Sequence, residues 1–93
     1  MFSITSYKAG LYPAKGFQMT FANGWTVSIQ FGQGNYCDNK YTKEKHIVPD
    51  CINAEIAAWD ANGIWHDFGN DTVKGYCSPD EVAVFIAEIS AIK

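Results

Sequence analysis

The sequence predicts an α+β domain, an antiparallel sheet of four to five strands built from two hairpins with one C-terminal helix packed on one face. Three observations lead there. Residues 17–31, FQMTFANGWTVSIQF, alternate apolar and polar side chains on both sides of an Asn-Gly pair. Residues 53–69, NAEIAAWDANGIWHDFG, do so around a second Asn-Gly. The chain then ends in CSPDEVAVFIAEISAIK, which joins helix-start residues to apolar positions at helical spacing.

Taken in order, Phe2 to Thr5 are expected to form a short strand, and Gly10, Pro13 and Gly16 mark residues 6–16 as a loop. In the first hairpin Phe17, Met19 and Phe21 share a face, continued after the turn by Trp25, Val27, Ile29 and Phe31. Asn23-Gly24 suits a type I′ turn, with positive φ at both residues. The opposite face is Gln, Thr and Ser, as in a sheet covered on one side only. The second hairpin runs through Ile56 and Ala58, turns at Asp60-Ala61-Asn62-Gly63 and returns through Ile64, His66 and Phe68. A short helix over 53–59 is the alternative, disfavoured by the second Asn-Gly and the two Trp residues. Val73 to Tyr76 supplies one more short strand. Ser78 is the expected N-cap, Pro79 the first helical residue and Glu81 the partner in an S-x-x-E capping box. Asp80 and Glu81 at the start and Lys93 at the end complement the helix dipole. Val82, Phe85, Ile86, Ile89 and Ile92 form the stripe that covers the apolar face of the hairpins.

Ninety-three residues set a single domain, 1–93. With 47% hydrophobic, 15% aromatic and 18% charged residues, the chain can build a core and is not expected to be disordered. All seven basic residues are Lys, and Arg is the side chain that forks onto phosphates and base edges, so direct nucleic-acid reading is disfavoured. Residues 51–93 hold two Lys against seven carboxylates, a balance that suits a partner with a basic surface, such as a nucleic-acid-handling protein. Ordinary solubility charge is the simpler meaning. The start MFSITSYKAG lacks the features of a signal peptide, no apolar run is long enough to span a membrane, and an odd number of cysteines suits reduced thiols. A cytoplasmic location without membrane contact is therefore expected.

Residues 31–51, FGQGNYCDNKYTKEKHIVPDC, hold most of the chemically able side chains. Cys37, His46, Cys51 and Cys77 are four candidate zinc ligands, but no C-x2–4-C knuckle sets their geometry, and unrelated thiols are the commoner meaning. A nucleophilic Cys37 would need His46 and a nearby Asn or Asp in space rather than in sequence. Cys77 precedes the helix, whose dipole could lower its pKa, although a buried corner residue is the preferred reading. Gly32-Gln33-Gly34 lacks the helix or G-K-[ST] that a phosphate loop requires. A nucleotide-type ligand stacked on Tyr36 or Tyr41 and held by Lys40 or Lys43 stays open as an oligomer-interface ligand. Trp59 and Trp65 have the opposite strand parity to Ile56 and Ile64, which leaves either an exposed binding ring or a second small core under Leu11 and Tyr12.

The segments NGWTVSIQFGQGNYCDN, AEIAAWDANGIWHDF and DTVKGYCSPDEVAVFIAEI resemble small proteins encoded by bacteriophages and prophages. The likeness runs over residues 17–90, apart from the Lys-rich 40–47 insert. It implies a viral protein made in the bacterial cytoplasm, where small single-domain accessory proteins often act by binding, and it brings no enzymatic assignment; neither an enzymatic activity nor a cofactor is expected. Inhibitors of host defence, including anti-CRISPR proteins and sponges for nucleotide messengers, are of this kind. The expected function is therefore capture and inhibition of a host protein through Tyr36, Tyr41, Glu55, Trp59, Asp60, Trp65, Asp67 and Asp71, with 31–51 as the interaction loop. A nucleotide sponge in a homo-oligomer is the alternative, and a small cysteine- or zinc-dependent enzyme the second alternative. An uncovered sheet edge leaves room for a homodimer.

Overall fold

The computed structural model of the chain describes residues 1–6, 15–41 and 50–93, with backbone alone at 4–6. Five strands, β1 (Phe2–Ser6), β2 (Lys15–Thr20), β3 (Thr26–Gln30), β4 (Ala54–Trp59) and β5 (Lys74–Cys77), form one antiparallel sheet in the order β1-β2-β3-β4-β5. The one helix among the described residues, α1 (Pro79–Ser90), lies across β3, β4 and β5. The α+β architecture read from the sequence is the one found.

Alternation explains which face goes inward. Register places Phe2 beside Met19, Met19 beside Val27 and Val27 beside Ala58, and likewise Phe17 beside Ile29 and Ile29 beside Ile56. Those two apolar rows meet Val82, Phe85 and Ile89 of the helix in one core cluster. Phe2 is 75% exposed despite its place in the row, because the helix does not reach the β1 edge. The capping box forms as expected: Glu81 N donates to Ser78 Oγ at 3.2 Å and Ser78 N donates to a Glu81 carboxylate oxygen at 3.0 Å.

Three local expectations are corrected. Gly24 has φ 88°, but Asn23 is not in the left-handed region, so the first turn is not type I′. Phe21 N donates to Trp25 O and Gly24 N to Phe21 O, a three-residue loop in which only the final glycine needs positive φ. The same tripeptide, Ala-Asn-Gly, makes the same turn at 61–63, where Gly63 N donates to Asp60 O and Asp60 N to Ile64 O. The two turns lie side by side: a Cβ on Gly24 would sit 3.2 Å from the Ala61 methyl.

Second, the return arm after Gly63 is not a strand. Only Trp65 bridges back, to Trp59, because β4 shares its outer edge between residues 64–66 at one end and β5 at the other. His66 N still donates to Ala58 O at 2.8 Å, after which the chain leaves the ladder, and the His66 and Phe68 rings pack against Phe85 at ring-centroid distances of 5.8 and 5.4 Å. Third, Lys93 lies past the helix end and no basic residue occupies the last turn. Asn23 does that work instead. Its Nδ2 donates to Ile89 O and Ile92 O at 2.9 Å and to Ser90 O at 3.4 Å, while its Oδ1 accepts from Trp25 N.

Candidate binding surface

Residues 31–41 leave the end of β3 without forming a ladder, yet they are well tied. Asn35 closes the first bend, its Oδ1 accepting from Gly32 N at 2.9 Å. Gly34 N donates to Lys40 O and Lys40 N to Cys37 O, which folds the segment on itself, and Asn39 Nδ2 donates to Phe31 O. The amides of Gly32 and Gly34 are thus committed inside the loop, which removes the phosphate-cradle reading of these glycines.

Two side chains of the β4 region pin this loop to the sheet. Glu55 accepts from Tyr36 N at 2.9 Å and from Asn35 Nδ2 at 3.5 Å. Asn53 accepts from Asp38 N at 2.8 Å and donates back to the Asp38 carboxylate at 3.1 Å. A third tie comes from β5, where Tyr76 N donates to Tyr36 O at 2.8 Å. That bond needs two irregularities. Tyr76 has φ 57°, the only positive φ at a non-glycine among the described residues, and the β4–β5 register shifts between Ala54 and Ile56. Gly75 lets the loop come close, since a Cβ there would meet Tyr36 Cβ at 2.5 Å and Tyr36 O at 2.9 Å.

What this framework displays is aromatic. Tyr36, Tyr41 and Tyr76 are 45%, 81% and 52% exposed. Lys40 Nζ lies 4.2 Å from the centroid of the Tyr36 ring and 5.3 Å from that of Tyr41, so one ammonium orients both rings. Tyrosine on a fixed backbone offers a large amphipathic contact with few torsions to freeze.

Of the residues expected to bind, the structure gathers Tyr36, Tyr41 and Glu55 here, although Glu55 serves as anchor. Trp59, Trp65 and Asp60 form a second group, four residues along β4, roughly 13 Å away at the usual strand rise. Trp59 and Trp65 stack on each other at 4.9 Å, leaving Trp65 and Ile64 half exposed or more. The carboxylates are turn-makers. Asp60 accepts from Asn62 N and Ile64 N, Asp67 from Gly69 N, and Asp71 from Thr72 N and Val73 N. Sequence reasoning passed over Asn53 and Tyr76. Gly75 inside a strand pattern was the available signal for a close backbone approach beside it.

The thiols separate into a pair and a single. Cys77 is buried in the core, and burial pushes its pKa up rather than letting the helix dipole lower it, with the Lys74 ammonium pulling weakly the other way. Cys37 is buried at 1% exposure and raised from 9.0 to about 11, first by burial, so it is a poor nucleophile at neutral pH. Among the described residues no three His, Cys, Asp or Glu side chains gather as metal ligands. His46, Lys43, Leu11 and Tyr12 lie outside the described residues. No helix among the described residues is long and apolar enough to cross a membrane. Comparison with protein-family models, with curated proteins and with solved structures found no match.

Proposed function

We propose that this chain is a non-enzymatic binding protein that captures and inhibits a host protein in the bacterial cytoplasm, as anti-defence proteins of bacteriophages do. The observation that supports it is the tyrosine loop: Tyr36 is fixed through both its amide and its carbonyl while its ring stays half exposed. Order of this kind in a surface loop lowers the entropy lost on binding. Lys40 and the two rings it orients form the centre of the contact, and Tyr76 extends it along β5. Trp65 and Ile64 give a second, smaller patch.

The experiment is quantitative capture from a bacterial lysate with wild-type protein, Tyr41→Ala and Tyr36→Ala, alongside the melting temperature of each. Loss of the captured protein from the tyrosine variants at unchanged melting temperature supports the reading. Equal capture by all three overturns it. One observation favours a second reading: a lysine shared between two tyrosines also suits a nucleotide, with base stacking on a ring and phosphate against the ammonium. Micromolar nucleotide would then raise the melting temperature of wild type but not of Tyr36→Ala.

A further inference from the structure

Cys37 and Cys51 are far apart in sequence, yet the fold brings them together through Asn53. Cys51 Sγ donates to Asn53 Oδ1 at 3.7 Å, and the same oxygen accepts the amide of Asp38 at 2.8 Å. Asn53 thus staples the neighbour of one cysteine to the other cysteine. Cys37 Sγ donates to Gly32 O at 3.6 Å, and the nearby Cys51 thiol adds to the rise in the Cys37 pKa. Their exposure differs. Cys37 is buried, whereas Cys51 is partly exposed and lines an open groove of about 420 Å³ between the sheet and α1, next to Phe31 and Ile52.

We propose that Cys37 and Cys51 are a redox pair that a small-molecule disulfide of the glutathione type converts into an intramolecular disulfide. Cys51 reacts first because the reagent reaches it from the groove. Its thiolate attacks one sulfur of the disulfide, forming a mixed disulfide and expelling one small thiol. Cys37 then gives its proton to solvent and attacks the Cys51 sulfur, expelling the second small thiol. The two cysteines together lose two electrons and two protons, and the reagent takes up both. The high pKa of Cys37, caused by burial, makes the second step the slower one and keeps Cys37 from reacting first. This inference does not depend on what the tyrosine loop binds.

The sequence makes the test clean, because the three cysteines fall on different tryptic peptides, 16–40, 46–74 and 75–93. Folded protein is incubated with oxidised glutathione at mild alkaline pH, acid-quenched, alkylated in denaturant, digested and mapped by mass spectrometry. The expected product links 16–40 to 46–74 with the loss of two hydrogens, and Cys77 is recovered alkylated. Cys77→Ser gives the same link and Cys51→Ser gives none. A link between 46–74 and 75–93, a glutathione adduct that persists on Cys51, or no reaction overturns the proposal, and the wild-type map alone decides.

Discussion

Asn23 ties the first hairpin to the far end of the helix, and its removal gives the sharpest energetic test of the fold. Asn23→Ala deletes two bonds of 2.9 Å and one of 3.4 Å to helix-end carbonyls, together with the 2.9 Å bond from Trp25 N. At about 0.5–1.5 kcal/mol per bond, with partly exposed carbonyls able to rehydrate, the loss is about 2 kcal/mol. For a domain of this length that lowers the melting temperature by roughly 10 °C. The molecule contains its own control. Asn62 occupies the same place in the sister Ala-Asn-Gly turn, where its exposed side chain caps no helix among the described residues. Asn62→Ala therefore carries the turn effect without the cap, about 0.5 kcal/mol or less. Asn23→Asp keeps the acceptor for Trp25 N but aims a charged oxygen at the carbonyls, and should cost at least as much as Ala. Urea unfolding of the three variants measures the differences. Equal midpoints for Asn23→Ala and Asn62→Ala would refute the role of the Asn23 side chain in holding the helix-end carbonyls.

Glu55→Ala removes the acceptor of Tyr36 N and Asn35 Nδ2; it should cost about 1.5–3 kcal/mol in urea unfolding and raise exchange at the Tyr36 amide. Gly75→Ala forces the loop off β5, so the Tyr76 amide should lose protection while core amides keep theirs. Asp60→Lys discards two turn bonds as well as a charge, and a lowered melting temperature is expected where charge reversal alone would leave it unchanged. The pKa of Glu81 lies below its ordinary 4.5, chiefly through its hydrogen bonds with Ser78, so its contribution is complete above that pH and fades as pH falls through the lowered value. Wild type and Glu81→Gln should therefore converge in stability on acidification. Cys37 works in the opposite direction: its raised pKa stabilises below pH 9.0 and is lost as pH climbs to about 11, a loss that Cys37→Ala should not show.

The fold was legible because several levels agreed. Alternation in 17–31 set the inward face, S-P-D-E set the start of the helix, and the stripe from Val82 to Ile89 matched the apolar face of the sheet. The turn type was misjudged because Asn-Gly serves both two-residue and three-residue loops, and the preceding Ala22 and Ala61 give no hint of which. The return strand after Gly63 followed from parity, but parity does not show that β5 competes for the same edge or that the chain leaves the ladder after His66 as the Phe68 ring packs on Phe85. At the surface, the exposure of Tyr36 and Tyr41 could be anticipated because both lie in a polar, glycine-rich stretch with no apolar alternation to bury them. The work of Glu55, Asp60, Asp67 and Asp71 was hidden, since a carboxylate that holds a turn and one that meets a partner look alike in sequence.

A preformed loop predicts slow amide exchange in the free protein at positions that no strand protects. Residue-resolved hydrogen exchange by NMR should find the amides of Gly34, Tyr36, Asp38 and Lys40 protected to a degree comparable with the edge strand β5. Exchange at those four positions as fast as in an unstructured peptide would mean that the tyrosines are not held in place.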